Sequence, residues 1–147
     1  MKKSLSILLI GLFTLFAVNA AEAANWQKVI DDTTIDIDSI QMSSENPNIY
    51  RVWSRDENAD KETTPNDYLP YDYCLSLDEY DLKTNTYCVR EERFYKKDGT
   101  LVESSTFTRE ESGWDPVTKG TIGEDMMAKM RELVVSQKNQ IMARPRY

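Results

Sequence analysis

The residues of this sequence that could carry out chemistry are few, and the first to consider are its two cysteines, Cys74 and Cys88. The sequence has no histidine, which excludes a Ser/His/Asp triad and a histidine-ligated catalytic metal. The cysteines also lack the C-x-x-C spacing and the second cysteine pair of common redox and zinc sites, so a redox pair or a metal pair is disfavoured. Because the first residues of the chain indicate export to an oxidising compartment, the sequence predicts an intrachain Cys74–Cys88 disulfide.

Acidic side chains are abundant, but no spacing among them marks an acid and base pair. The group Asp78, Glu79 and Asp81 is interpreted as a solvated hairpin end. Six residues have the ligand spacing of a calcium loop: Asp56, Asn58, Asp60, Glu62, Thr64 and Asp67. Lys61 stands where that loop needs glycine and no helices flank it, which favours a solvated polar loop. The sequence therefore predicts no catalytic residue, no metal site, no cofactor and no enzymatic activity.

One local cluster of positive charge offers a possible ligand surface. It is interleaved with Phe94 and Tyr95, and it comprises Arg90, Arg93, Lys96 and Lys97. Such a composition suits an acidic protein surface or a sulfated glycan. The alternative is a strand whose basic residues simply face water beside Glu91 and Glu92.

The first 23 residues have the layout of a secretory signal peptide, with two lysines, an apolar run over 5–18 and small residues before two cleavage sites. Cleavage could follow Ala20 or Ala23, and the longer spacer favours Ala23. The apolar run is too short for a membrane span. No cysteine follows it to accept a lipid. We therefore predict a signal peptide over 1–23, one domain over 24–147, and an exported, periplasmic or secreted product that could associate with the cell surface.

The mature chain is acidic, and this limits its partners. Removing Lys2, Lys3 and Glu22 from the full sequence leaves 16 basic and 24 acidic residues. A domain of about -8 net charge repels phosphate backbones, so nucleic acid is not expected as a partner. A protein or glycan ligand is expected instead.

Most of the mature chain has the two-residue period of β-strands. Strands are predicted over 25–30, 33–40, 48–55, 71–77, 86–95 and 101–108. The last two are joined by Asp98-Gly99, a strong hairpin signal. A long polar segment, 56–70, separates the third and fourth strands and is predicted to be an exposed loop.

The expected disulfide also predicts a register for the fourth and fifth strands. If Cys74 faces Cys88, then Leu75 lies opposite Tyr87 on the other, apolar face of the pair. The alternation fails later in the fifth strand, so a bulge or exposure is expected near Glu91–Glu92.

The last segment changes to a helical period. Thr121 and Glu124 have the spacing of a capping box, and Pro145 ends the pattern. The apolar residues of this helix are Met127, Met130, Val134 and Ile141. The methionines Met126, Met127 and Met130 could in principle bind Cu(I), but core packing is favoured at this spacing. The predicted fold class is α+β: an antiparallel meander of about six strands covered by one C-terminal α-helix, with one disulfide.

The order of these features resembles the surface-adhesin protein E-like domains of exported bacterial proteins. The residues that carry the resemblance are Trp26, Asp38-Ser39-Ile40, Val52-Trp53, Cys74, Cys88, Tyr95, Asp98-Gly99, Trp114 and Gly120-Thr121-Ile122-Gly123-Glu124. The resemblance implies an antiparallel sheet with a C-terminal helix and, for the founding members, attachment to host extracellular proteins.

Two functions remain open at this stage. The first is an exported binding module that engages a macromolecule of the host matrix or the cell envelope. The second is a periplasmic inhibitor or envelope-maintenance protein that acts through the 56–70 loop.

Overall fold

The computed structural model describes residues 24–147, so the predicted signal peptide lies outside the described residues. Its strands are β1 (Trp26–Ile30), β2 (Thr33–Asp36), β3 (Gln41–Met42), β4 (Ile49–Glu57), β5 (Tyr73–Asp81), β6 (Thr86–Tyr95), β7 (Leu101–Thr106) and β8 (Asp115–Pro116). Its α-helices are α1 (Arg109–Ser112), α2 (Ile122–Ser136) and α3 (Lys138–Ala143), and a 3₁₀ turn spans Ile37–Ser39. The α+β class is confirmed, with two short strands and two short helices beyond those predicted.

The sheet is antiparallel, and its main strands lie in the order β1-β2-β4-β5-β6-β7. The short strand β3 pairs with β4, and β8 pairs with β6. The predicted second strand is shorter than expected because the Asp36 carboxylate accepts a hydrogen bond from the Asp38 backbone N–H at 3.1 Å. That contact starts the 3₁₀ turn, which still buries Ile37.

The hairpin predicted at Asp98-Gly99 is confirmed. Gly99 has φ of 85°, a conformation that favours glycine. The Lys96 N–H donates to the Thr100 carbonyl at 2.9 Å and closes the turn between β6 and β7.

The predicted Cys74–Cys88 disulfide is wrong, since both cysteines are free and buried. Cys74 lies opposite Phe94, and Cys88 lies opposite Glu79. The two cysteines are thus five positions apart along the sheet, about 17 Å at the usual rise per residue. They also face opposite sides of the sheet, because five is an odd number. A disulfide needs Cα atoms within about 7 Å.

The turn between β5 and β6 explains this register. The Asp81 carboxylate accepts hydrogen bonds from the N–H groups of Lys83 and Thr84 at 2.8 and 3.2 Å. Asn85 takes the left-handed conformation, with φ of 59°, and its N–H donates to the Asp81 carbonyl. This tight turn extends both strands to Asp81 and Thr86 and slides the pairing away from the predicted one. The expected bulge occurs just before Glu91, because Asp78 pairs with Val89 while Leu77 pairs with Glu91.

Helix α2 packs on one face of the sheet, as predicted. Met126, Met127, Met130 and Leu133 are buried against a core formed by Ile35, Val52, Tyr50 and Tyr80, and Val134 packs at its margin. The three methionines therefore pack in the core. The helical region divides at Gln137, after which α3 places Ile141 in the same core. Within residues 24–147, no helix is long and apolar enough to cross a membrane.

The start of α2 lies where the sequence predicted it, but the predicted capping box does not form. Thr121 is the N-cap residue, yet its hydroxyl donates to the Thr118 carbonyl at 2.7 Å. The Glu124 carboxylate accepts instead from the Gly120 N–H at 2.7 Å, one residue before the cap. A true capping box begins the unpredicted helix α1, where Thr108 and Glu111 cap each other.

Candidate functional site

Helix α2 covers one face of the sheet, while part of the opposite face carries arginine and aromatic side chains without a helix over them. Alternate residues of a strand share a face, and the registers of β4, β5 and β6 bring these residues into neighbouring rows. We call the set Trp53, Arg55, Tyr73, Arg93 and Tyr95 the open-face ladder. All five residues are only partly buried.

Each member of the open-face ladder contacts another in a defined geometry. The guanidinium carbon of Arg93 lies 4.9 Å from the ring centroid of Trp53, and that of Arg55 lies 3.8 Å from the centroid of Tyr73. The rings of Tyr73 and Tyr95 stack, with centroids 5.2 Å apart and planes 12° from parallel. A cation over an aromatic ring is attracted electrostatically to the negative face of that ring. The two guanidinium groups are therefore held in position on a half-exposed aromatic surface.

Both ladder arginines have an acidic neighbour on their own strand. Arg55 Nε lies 2.7 Å from Glu57 Oε1, and Arg93 Nε pairs with Glu91 Oε1. The hydrogen bond that Arg93 donates to Glu91 is the main cause that raises the pKa of Arg93. The arginine side chains are still 35% and 41% exposed, so solvent weakens these pairs. Each pair engages an Nε atom, which leaves the terminal Nη groups for an oxyanion such as a carboxylate or sulfate.

The structure separates the four basic residues of the predicted ligand surface. Arg93 belongs to the open-face ladder. Lys96 and Lys97 lie beside it at the hairpin, where the Lys96 ammonium donates to the Pro70 carbonyl and the Lys97 N–H donates to Asp72. Arg90 lies in the middle of β6 and lines a different cavity. The structure thus brings Arg93, Lys96 and Lys97 to one end of the strand and leaves Arg90 apart.

The polar segment 56–70 is tied to the rest of the fold. The buried Asn58 side chain donates to the carbonyls of Glu62 and Tyr71 at 2.8 and 2.9 Å and accepts from the Glu62 N–H at 2.8 Å. From β7, the Glu103 carboxylate accepts from the backbone N–H groups of Asn66 and Asp67. Asn58, one of the six residues with calcium-loop spacing, is therefore engaged in hydrogen bonds that hold the segment. No three acidic or cysteine groups among residues 24–147 converge as metal ligands.

The covered face contains a cavity of about 540 Å³ lined by the carboxyl groups of Asp56, Asp78 and Glu92. Asp78 is 7% exposed, so its interpretation as part of a solvated hairpin end is wrong. Burial raises its pKa to about 7, against the opposing effect of hydrogen bonds from Ser76 and Ser54. Burial also raises the pKa values of Asp56 and Glu92. The fold therefore holds a cluster of carboxyl groups that resist ionisation.

Glu79, which belongs with Asp78 and Asp81 to the group interpreted from the sequence as a solvated hairpin end, is also buried, at 3% exposure. It accepts two hydrogen bonds from Arg109 of α1, at 2.7 and 3.2 Å. This two-point contact explains how a carboxylate is tolerated there, because a buried charge requires a paired and hydrogen-bonded partner.

The free thiol of Cys74 does not have the properties of a nucleophile. Burial is the main cause that raises its pKa to about 12. Since the thiolate is the reactive form, this thiol is inert in the folded protein.

Comparison with known protein families shows the family to which the chain belongs. The family model described as surface-adhesin protein E matches residues 26–130. The chain belongs to the surface-adhesin protein E family. A comparison with proteins of curated function finds no match to this sequence.

Three solved structures of Haemophilus influenzae protein E share this fold. One is 14% identical over 82% of this chain and 89% of its own, with a TM-score of 0.53. The structure from non-typeable H. influenzae is 11% identical over 78% and 88%, with a TM-score of 0.52. Crystal form II of the protein is 13% identical over 71% and 81%, with a TM-score of 0.51. At these identities the similarity shows a common fold.

The open-face ladder of this surface-adhesin protein E family member was only partly visible in the sequence. The basic cluster included Arg93, but Trp53, Arg55 and Tyr73 were interpreted only as strand residues. Alternation of arginine and tryptophan at Arg51, Trp53 and Arg55 was the available signal, since residues two apart in a strand share a face.

Proposed function

We propose that this chain is an exported, non-enzymatic binding module that engages a macromolecule of the host matrix or the cell envelope through acidic groups of that partner. Its residues 1–23 would be a signal peptide, and residues 24–147 would form the single released domain, periplasmic or secreted and able to associate with the cell surface. Family membership supports an adhesin-like role. The acidic composition of the chain disfavours nucleic acid as a partner.

The observation that carries the proposal is the open-face ladder. Arg93 over Trp53 and Arg55 over Tyr73 place two guanidinium groups on one exposed surface. Packing already limits the conformations of these two arginines. Binding of a partner therefore costs less side-chain entropy than it would if the arginines were free to move. Lys97, exposed at the adjoining hairpin, extends the positive charge and would speed the approach of an acidic partner.

The test measures binding of the 24–147 protein to immobilised host matrix proteins and to envelope extract by surface plasmon resonance. Trp53→Ala should weaken binding by tenfold or more, because it removes an aromatic anchor and the support of Arg93. Lys97→Glu should mainly slow association and reduce its dependence on salt. We prefer Lys97 to Lys96 here because Lys96 also holds the loop through Pro70.

Lys138→Glu is the matched control for the lysine variant. It makes the same change in charge at an exposed lysine of α3, away from the open face. Equal association rates for the Lys97 and Lys138 variants, together with unchanged binding by Trp53→Ala, would contradict the proposal.

A second candidate function, inhibition or maintenance of an envelope enzyme through the 56–70 loop, is favoured by the tip of that loop. Tyr68 is 76% exposed with a positive φ of 54°, and Leu69 is 40% exposed. Asn58 and Glu103 hold the loop, so it presents these residues on a fixed support. If Tyr68→Ala abolishes binding to an envelope extract while Trp53→Ala has no effect, this second function replaces the first.

A further inference from the structure

We propose that a cavity of about 450 Å³ beside strand β6 is a binding pocket for a small organic carboxylate with an apolar body. The cavity lies among β5, β6, helix α1 and Tyr147, and Arg90 lines one side of it. Arg90 is separated from the lysines of the hairpin by the second half of β6, residues 91–95. The inference therefore does not depend on the binding function proposed for the open-face ladder.

Two buried donors without acceptors point to a ligand in this cavity. Arg90 Nη1 is buried and has no hydrogen-bond partner among the described residues, and the buried Tyr147 Oη lies near Arg109 and Glu79 without a hydrogen bond of ordinary geometry to either. Both residues line the cavity. Buried donors are nearly always satisfied in native proteins, and an exception calls for an explanation such as a bound water, ion or ligand. A single acceptor group placed in the cavity could satisfy a guanidinium and a phenol together.

The charges around the cavity favour an anion of low charge. Its acidic residues are Glu45, Glu79 and Glu91. Each already pairs with an arginine: Glu45 and Glu79 with Arg109, and Glu91 with Arg93.

The remaining two arginines have no such partner. Within residues 24–147, neither Arg51 nor Arg90 forms an ion pair with a carboxylate, and Arg51 donates instead to the neutral amide oxygen of Gln41 at 2.9 and 2.7 Å. Because Glu45 and Glu79 share Arg109, the four arginines Arg51, Arg90, Arg93 and Arg109 exceed the three glutamates by one positive charge, which a monoanion balances. A dianion such as sulfate would meet repulsion from the three glutamates.

The apolar part of the wall indicates the body of the ligand. Leu77 and the ring of Tyr147 both line the cavity. The guanidinium carbon of Arg51 lies 4.1 Å from the centroid of that ring. A cavity of this volume has the size of a small-molecule site. Most of its lining residues are polar and would fix the orientation of a ligand, while Leu77 and Tyr147 would contact an apolar body. Benzoate has these features, with one planar carboxylate on a flat apolar ring.

The test is a titration of the ¹⁵N-labelled 24–147 protein with benzoate, monitored by NMR. The signals observed are the backbone amides of Arg90 and Thr106 and the side-chain N–H groups of the arginines. Benzamide, which has the same shape without the charge, and sulfate are the comparison ligands. We expect saturable shifts with benzoate and binding at least tenfold weaker with benzamide and sulfate. Arg90→Gln should weaken benzoate binding by about tenfold or more, because it removes a charge-assisted hydrogen bond.

Two further variants make the result decisive. Tyr147→Phe keeps the ring and removes only the hydroxyl, so it should weaken benzoate binding several-fold even if Arg90→Gln proves to be misfolded. Arg131→Gln removes the same charge at an exposed position on α2 and should leave binding unchanged within twofold. The inference is overturned if benzoate causes no saturable shifts, if benzamide or sulfate binds as tightly, or if both pocket variants bind like the wild type.

Discussion

Replacing Asp78 by asparagine should change how the stability of the fold depends on pH. Asp78 is 7% exposed, and burial raises its folded-state pKa from 3.8 to about 7. Asparagine has nearly the same shape and can still accept a hydrogen bond from Ser76, which reaches Asp78 Oδ1 at 2.7 Å. The substitution therefore removes the ionisation with little change in packing.

The direction of the effect follows from the raised pKa. Between about pH 4 and pH 7, the folded chain binds more protons at Asp78 than the unfolded chain does. The stability contributed by the protonated group is thus fully present below about pH 4 and is lost as the pH rises through 7. A difference of about three pKa units corresponds to roughly 4 kcal/mol at about 1.36 kcal/mol per unit. The asparagine variant does not undergo this loss.

The assay is urea unfolding of both proteins at intervals from pH 4 to pH 8, followed by tryptophan fluorescence, with free energies from linear extrapolation. Between pH 4 and pH 8, the free energy of unfolding of the variant should rise by about 4 kcal/mol relative to that of the wild type. Asp56 and Glu92 also have raised pKa values, but they are present in both proteins and do not enter the comparison directly. Asp60→Asn, at an exposed position, is the control. The difference between its free energy of unfolding and that of the wild type should stay nearly constant with pH.

Parallel stability curves for the wild type and the Asp78 variant would refute this reasoning. They would mean that Asp78 ionises in the folded protein about as readily as in the unfolded chain, so that the cavity beside it is well solvated.

Three further predictions concern the core, the cysteines and the hairpin. Met130→Asp should destabilise the fold by several kcal/mol because it places a charge at a fully buried position, whereas Val135→Asp, 78% exposed on the same helix, should cost less than about 1 kcal/mol in thermal or urea unfolding. Thiol labelling without reductant should modify both Cys74 and Cys88 after denaturation and neither in the native protein; a denatured protein without reactive thiols would contradict the register of β5 and β6. Gly99→Ala should lower stability by about 1 kcal/mol, because its φ of 85° is strained for alanine, and an unchanged melting temperature would show that the turn adopts another conformation.

Local patterns in the sequence were sufficient for several elements. The bounds predicted for the fifth strand, 86–95, are those of β6, and the Asp98-Gly99 turn follows it as expected. Helix α2 begins directly after Thr121. Strand alternation, turn residues and helix starts depend on neighbours within a few positions, so the sequence alone contains the information.

Strand register was not determined by those patterns. The apolar residues near Cys74 and Cys88 were compatible with more than one pairing, and the predicted disulfide selected the wrong one. The structure follows the tight turn at Asp81 and Asn85 instead. The hydrogen bonds of that turn fix where the two strands meet. The partner of Cys74 moves by six positions, from Cys88 to Phe94, and strand alternation cannot distinguish an even shift. The bulge before Glu91 makes the shift at Cys88 five positions.

The sequence by itself thus determined the strand-rich class, the confirmed hairpin, the position of α2 and its apolar face, and the acidic charge of the chain. The tertiary structure decided which distant residues meet. Trp53 and Arg93 come together only because β5 lies between β4 and β6. Arg90 and Tyr147 share a cavity only because the residues after α3 return to the sheet, where the Tyr147 N–H donates to the Met42 carbonyl. These contacts depend on pairing and packing between segments far apart in the chain, and no local pattern records them.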